Sequence, residues 1–284
     1  MHYPDTLARD YLRIANTYMT LLNKAMAKHM PAVRRAIDAE RANMRQDSIY
    51  DVIGASRRAF ARIKADFEAA VRQFGLRDKL EALENRAVKL SIREWKRVVH
   101  QTLGIDLLGD YYSGSFYSGT LADWVKANTG LISTIPKDAL ARMERIVEEG
   151  YLSGKSNTAI GRDIQEAYSV ERRHAQLIAR DQVSKLNASL TQKQHEDAGV
   201  ESYVWSSSKD ARVRECHADH SGKEFRWSEP PEDYYATKSR GRVYTGYRYH
   251  PGEAIACRCV ALPVFRIEGL SLPWESAEDK GGES

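Results

Sequence analysis

The chain has 284 residues, of which 42% are hydrophobic and 29% are charged, and its formal net charge is +4. This length suits one large domain or two of ordinary size, with a core and a large wetted surface. The 3 cysteines are too few for a disulfide-stapled secreted fold. The sequence shows neither a signal-peptide pattern nor an apolar run that could span a bilayer, so we expect a soluble protein made in a reducing cytoplasm, with no membrane partner.

Residues 1–103 form the basic part of the chain, with 20 Lys and Arg against 12 Asp and Glu, whereas the remainder carries a net −4. Apolar residues recur there at steps of three and four, which predicts amphipathic antiparallel helices with a break or kink at Pro31 and a stop at Gly75. A basic helical surface can contact nucleic acid or an acidic protein, or it can simply keep the helices solvated. The pattern alone leaves both interpretations open.

Residues 104–120, GIDLLGDYYSGSFYSGT, have the composition of a Gly/Ser/Tyr loop and mark a boundary. Helices resume over residues 121–199, and the last of them is predicted at 171–198, followed by Gly199 in the usual position after a helix end. Its predicted buried stripe is Ala175, Ile178, Ala179, Val183, Leu186 and Leu190.

Residues 200–266 change character and predict a small β-rich part with a Cys/His cluster. The predicted strands are VESYVWSS, GKEFRW and CRCVALPVF, while residues 228–249 show no period and are predicted to form a long irregular loop. Residues 267–284 are polar and are expected to be a flexible tail. The predicted fold is therefore mainly α, an antiparallel helical body followed by a small α+β C-terminal domain.

Potential soft metal ligands cluster in the last part of the chain. They are Cys216, His217, His220, His250, Cys257 and Cys259. Zinc takes about four nitrogen or sulfur ligands, commonly from two short segments, here CHADH and HPGEAIACRC. Cysteines at i and i+2 of a strand would share one face. The C-x-C spacing is unusual for structural zinc, so buried thiols with hydrogen-bonded histidines and no metal are the alternative, and a disulfide between neighbours this close would be strained.

Signatures of common enzyme classes are absent from the sequence: there is no Walker A motif, no Rossmann glycine fingerprint, no nucleophile elbow and no zinc-deaminase pair. The stretch DARVR near His217 could support acid–base chemistry, but such a turn is more often a knot of ion pairs and hydrogen bonds. No nucleophile, base and substrate pocket can be assembled. We therefore expect no catalytic residue, no enzymatic activity and no small-molecule substrate.

Several pieces of the second half of the chain, in their order, resemble the phage Mu F-like minor head proteins, also called phage head morphogenesis proteins. They cover residues 125–264, about half of the chain. The pieces are LISTIP, EEGYLSGKSNTAIGRDI, ARDQVSKLNASLTQKQHEDAGVESYVWSSSKDARVRECHADHSGKEF and YHPGEAIACRCVALPV. Each is weak alone, but the ordered series is specific.

The resemblance implies which residues carry the motif. The Cys/His positions of the family fall on His217, His250, Cys257 and Cys259, which we expect to hold a structural zinc in a closed site. The accompanying structural motif falls on Asp210, Arg214, Gly222 and Pro251, and some members carry a cysteine where this chain has Arg214. We also expect Arg258 to point away from the ligands and to pair with an acid such as Asp210.

The resemblance further implies a structural role in head assembly. It predicts a minor capsid protein of a tailed double-stranded DNA phage or prophage, found in the virion head and, during assembly, in the host cytoplasm. Its expected partners are portal and capsid proteins and packaged double-stranded DNA. The alternatives are a metal-dependent enzyme that processes nucleic acid and a stand-alone DNA-binding module.

Overall fold

The computed structural model describes residues 4–43, 49–108, 111–112, 114–266 and 268–273. Long helices dominate it, and short antiparallel strands follow them, which confirms the mainly α fold with a small α+β C-terminal region. The long helices are α1 (Asp5–Asn43), α2 (Ile49–Phe74), α3 (Leu76–Leu103), α4 (Gly114–Leu152) and α5 (Asn157–Asp197). None of the helices in these ranges has a stretch long and apolar enough to cross a membrane.

The prolines interrupt fewer helices than the sequence suggested. A break or kink before a second helix was predicted at Pro31, yet α1 is assigned as one helix through it, and α4 likewise contains Pro136. Proline removes one backbone hydrogen bond and clashes with the preceding turn. Buried residues on the far side of each proline keep the helix in register: Val33 and Ile37 after Pro31, and Ala139 after Pro136.

The predicted loop at 104–120 is shorter than expected, because α4 already begins at Gly114. Glycine and serine disfavour helix, but burial of aromatic side chains can outweigh propensity. Tyr117 is fully buried, its ring lies 4.8 Å from that of Phe116, and its hydroxyl accepts a 2.7 Å hydrogen bond from Gln194.

The chain divides into two compact units, and α1, α3, α4 and α5 contribute residues to both. The helical unit comprises Asp10–Leu80 and Lys126–Leu177. In its core the ring of Tyr18 meets that of Phe67 edge-on at 6.2 Å, and the buried Tyr11 hydroxyl donates a 2.6 Å hydrogen bond to Asn128.

The mixed unit comprises Met1–Arg9, Glu81–Val125 and Ile178–Ser284, so it contains all of the strands. Strands β1 (Ser202–Ser206), β2 (Glu224–Arg226) and β5 (Val260–Pro263) lie within the three predicted strand segments. They form a three-stranded antiparallel sheet with the order β2-β1-β5. Gly199 ends α5 with φ 71°, and a Cβ there would lie 2.1 Å from the Gly269 carbonyl oxygen, so this turn requires glycine.

Residues 228–249 were predicted to be irregular, and this prediction is wrong. They contain a two-stranded antiparallel hairpin of β3 (Glu232–Thr237) and β4 (Gly241–Arg248). Most of its side chains are exposed on both faces, including Tyr235, Tyr244 and Tyr247. Only Tyr234 of the hairpin is buried, so its two strands show no alternation of apolar and polar residues by which periodicity could reveal them.

Candidate metal centre

His217 is the focus of the Cys/His cluster. It lies on the short helix α6 (Glu215–His220) and is only 3% exposed. Its Nδ1 is 3.5 Å from Sγ of Cys257 and 3.6 Å from Sγ of Cys259. The three donor atoms all lie within 4.8 Å of one another.

The two thiols come from the segment just before β5. The sequence placed Cys257 and Cys259 on the strand, but the strand starts at Val260. They nevertheless approach the same histidine, and both are buried. The Cys257 carbonyl accepts a hydrogen bond from the Ser184 hydroxyl, which ties this segment to α5.

The two nitrogen–sulfur distances from His217 are compatible with zinc. In a tetrahedral site with Zn–S near 2.3 Å and Zn–N near 2.1 Å, adjacent nitrogen and sulfur ligands are about 3.6 Å apart. The observed distances of 3.5 and 3.6 Å from His217 Nδ1 agree with that value. The donor set of one imidazole and two thiols is also one that zinc favours.

His250 is not part of this group of donors. Its Nδ1 is 2.8 Å from the Tyr203 hydroxyl, and its ring lies 4.7 Å from that of Trp227. Burial lowers the pKa of His250, against the opposing charge of Glu253. The structure therefore brings three of the four predicted ligands together and places the fourth in an aromatic setting where its ring nitrogen already has a partner.

Asp233 lies on the other side of His217 and was missed in the sequence. Its Oδ1 is 4.0 Å from His217 Nε2 and accepts a 2.7 Å hydrogen bond from the Cys216 thiol. At 4.0 Å this is a charge contact and not a hydrogen bond, so Asp233 acts on the imidazole through its charge. Asp233 is on β3, within the predicted irregular loop, and no spacing signal linked it to the histidine.

The remaining Cys and His of the cluster have structural surroundings. Burial, with the hydrogen bond to Asp233, raises the pKa of Cys216 to about 11, which favours the neutral thiol. The His220 ring packs at 5.2 Å from Trp205, and burial lowers its pKa.

The paired thiols do not share one electrostatic environment. A hydrogen bond from Cys259 lowers the pKa of Cys257, and His217 lowers it further. The same hydrogen bond, together with burial, raises the pKa of Cys259. These effects make Cys257 the more acidic thiol of the pair.

The four residues of the predicted structural motif shape the backbone around this group. Asp210 accepts a hydrogen bond from Arg258, the pairing expected from the sequence. Arg214 Nη2 donates a 2.8 Å hydrogen bond to the Ile255 carbonyl. Gly222 adopts φ 86° and donates to the Trp205 carbonyl at 2.8 Å, while Pro251 is buried in the turn after His250.

A cavity of about 190 Å³ adjoins the donors. His217, Cys257 and Cys259 form part of its lining. The group is therefore reached from a pocket and is not sealed on every side by the protein.

Comparison with known proteins finds a family model that matches this region. Residues 141–262 match a family described as Phage Mu protein F like protein. An uncharacterised protein of Haemophilus influenzae is 28% identical over 232 residues, which are 82% of this chain and 49% of that protein. The chain thus spans about half the length of the curated relative it matches, and no solved structure matches it. The resemblance found in the sequence is confirmed: residues 141–262, which carry His217, Cys257 and Cys259, form a Phage Mu F-like segment.

Proposed function

We propose that the protein is a head morphogenesis protein of a tailed double-stranded DNA phage or prophage, acting as a minor capsid component near the portal. The observation that supports this role is the family match over residues 141–262, which runs from α4 through α5 to β5 and includes the Cys/His group. In this role the chain works by binding partners, and the virion head is its destination.

Direct binding to the portal tests this proposal. Purified protein, treated with nuclease to remove DNA, is mixed with the portal protein of the same phage and the mass of the eluting species is measured by light scattering. We expect a complex heavier than the portal alone, and no complex with the portal of an unrelated phage. Separate elution of the two proteins at every mixing ratio would count against a portal-associated role.

We further propose that His217, Cys257 and Cys259 bind one structural zinc ion, with the Asp233 carboxylate 4.0 Å from the imidazole. The small β-rich region has short strands and few aliphatic residues. A metal cross-link between α6 and the segment before β5 would add the stability that so small a core cannot supply. The alternative keeps both thiols in an apolar cluster with Tyr203 and Trp205, without metal.

Elemental analysis of protein purified without chelator distinguishes these two states. We expect about one zinc per chain, lost in the double variant Cys257→Ser, Cys259→Ser. Cys216→Ser tests the neighbouring group of Cys216, His217 and Asp233, whose donor atoms also lie within 4.8 Å of one another, and zinc retained in this variant assigns the ion to the two other thiols. His250→Gln also tests the ligand set, since it should retain zinc if the three convergent donors suffice. A metal-free wild type with the same folded C-terminal region would contradict the zinc proposal.

One observation favours a second candidate, a metal-dependent enzyme that processes nucleic acid. Three protein ligands beside a cavity are the arrangement of catalytic zinc sites, whereas structural sites are closed by a fourth ligand. Cleavage of single- or double-stranded DNA by zinc-containing protein, abolished in the Cys257→Ser, Cys259→Ser variant, would establish this activity. Zinc content without cleavage would support the structural role.

A further inference from the structure

The cavity beside the Cys/His group has an unusually cationic wall. Four arginines line it, namely Arg180, Arg212, Arg214 and Arg258. No carboxylate is among its lining residues in the described part of the chain. Guanidinium groups stay charged at all physiological pH values and have no lone pair to offer a metal, so the arginines of the lining favour an anion, whereas its thiols and imidazole are the groups that can bind a cation.

Asp210 contacts two of the arginine residues that line the cavity. It accepts hydrogen bonds from the Arg212 backbone N–H at 3.0 Å and from the Arg258 guanidinium. Arg214, at the end of the same turn, is fixed to the carbonyl of Ile255 across the cavity lining. These contacts fix the guanidinium groups of Arg214 and Arg258, which lowers the entropy that they lose on binding a ligand, whereas for Arg212 they fix only the backbone.

The charge of the wall is only partly neutralised. Asp210 balances Arg258, whereas the partner of Arg214 is a neutral carbonyl, so the guanidinium of Arg214 keeps its net charge. The Arg212 side chain is exposed to solvent at the cavity. A bound oxyanion would accept charge-assisted hydrogen bonds from the guanidinium groups of Arg212 and Arg214.

The backbone is held in an uncommon conformation beside the cavity. Among the described residues other than glycine, Lys209 and Ala256 have positive φ, of 55° and 53°. Ala256 lines the cavity, and its N–H donates a 3.1 Å hydrogen bond to Asp181 Oδ1. Such strained positions persist only where surrounding contacts hold them, and they cluster at ligand clamps.

The size of the cavity limits the ligand. At about 190 Å³ it is smaller than the roughly 300–1,000 Å³ of pockets that enclose drug-sized molecules. We infer that this cavity is a binding site for a single phosphate group, which Arg212 and Arg214 recognise through their guanidinium forks. This inference goes beyond the proposed role in the head and does not depend on it. The phosphate could be free inorganic phosphate or an end group of a polynucleotide.

Titration calorimetry with inorganic phosphate, in a chloride buffer without other oxyanions, tests the site. We expect saturable binding of one phosphate per chain, weakened about tenfold or more in Arg212→Gln, because glutamine cannot form the charge-assisted hydrogen bonds of the guanidinium. Arg240→Gln is the matched control, since Arg240 is an exposed arginine of the same unit, in the turn between β3 and β4, and does not line the cavity. Equal unfolding midpoints show that the variants are folded.

The source of the phosphate is distinguished with duplex oligonucleotides that differ only in a 5′-phosphate. Tighter binding of the phosphorylated duplex, abolished in Arg212→Gln, assigns the site to polynucleotide ends. Equal binding of both duplexes, together with saturable inorganic phosphate, assigns it to the free ion. Absence of saturable phosphate binding in the wild type, or unchanged affinity in Arg212→Gln, would overturn the inference.

Discussion

His195 shows how one buried side chain links the fold of the mixed unit to pH. Its ring is fully buried and lies 5.3 Å from that of Trp95 and 5.5 Å from that of Trp227. The Trp227 indole N–H donates to Nδ1 at 3.3 Å, while Nε2 is buried without a hydrogen-bond partner among the described residues. Protonation would place an unpaired charge in an apolar site, and burial accordingly lowers the pKa of His195 to about 3.

We predict that this histidine makes the protein less stable in acid. His195 binds a proton near pH 6.5 in the unfolded chain but only near pH 3 in the folded one. Its contribution to the stability of the fold is therefore complete above pH 6.5 and is lost as the pH falls towards 3. Its contribution to the free energy of unfolding should fall by up to about 1.4 kcal/mol per pH unit. Denaturant titrations at several pH values should show that the free energy of unfolding depends less steeply on pH in His195→Gln than in the wild type. His174→Gln, an exposed change on the same helix, is the control, and identical slopes for His195→Gln and the wild type would refute the assignment.

At the scale of elements, α5 buries most of the apolar residues that the sequence predicted to lie on its inner face. Ala175, Ala179, Val183, Leu186 and Leu190 are buried, while Ile178 is only half-buried. Val183, Leu186 and Leu190 also border a groove of about 310 Å³ in the mixed unit. The helix is therefore held by packing along one face, as its period of 3.6 residues requires.

We predict that Leu186→Ala lowers the free energy of unfolding by about 2–3 kcal/mol. Buried Leu→Ala changes cost about 2–5 kcal/mol, and the lower part of that range applies because water from the adjoining groove can enter the space. Leu177→Ala on the exposed side of α5 is the matched control and should stay within about 0.5 kcal/mol of the wild type. Urea unfolding of both variants measures the difference, and a decrease below about 0.5 kcal/mol for Leu186→Ala would show that this face is not part of the core.

The elements that the sequence predicted are those with one buried face. The α5 stripe, the glycine at 199 and the strands around Trp205 follow from period and turn chemistry. The β3–β4 hairpin was not predicted, because only Tyr234 of it is buried. Helices α1 and α4 continue past prolines because buried residues on both sides outweigh one missing hydrogen bond.

The candidate site was only partly predictable, because its residues come from segments that are distant in the sequence. Cys257 and Cys259 are near in sequence, and the family pattern added His217. The pattern also indicated His250, whose ring instead meets Tyr203, and it gave no indication of Asp233. Contacts between distant segments depend on tertiary packing, which local spacing does not encode.

At the scale of the whole molecule, charge is distributed unevenly along the chain. Residues 1–103 carry 20 Lys and Arg against 12 Asp and Glu, and the remainder is net −4. Some of these cations are neutralised locally, as Lys28 is by Asp66, whereas others project from α2 into solvent. Because α1 and α3 contribute to both compact units, removing residues 1–103 would disrupt folding, so the role of the charge is better tested by substitution.

We predict that DNA binding, if it resides in the basic helices, depends on exposed cations of α2. The test variant carries three changes, Arg62→Gln, Lys64→Gln and Arg72→Gln. The slope of log K against log salt for duplex DNA should become shallower by about 0.9 for each phosphate that is no longer neutralised by a protein cation. Portal binding in the absence of DNA should be unaffected by these changes.

A control with the same change in net charge separates specific binding from general attraction. It carries Lys126→Gln, Lys137→Gln and Arg145→Gln, three exposed positions on α4. If α2 binds DNA, the α2 variant has a lower affinity and a shallower salt slope while the α4 variant matches the wild type in both, because counterions are released only where phosphates are neutralised. Equal salt slopes in the wild type and the α2 variant would show that these cations serve to solvate the helix and that DNA, if bound, is held elsewhere.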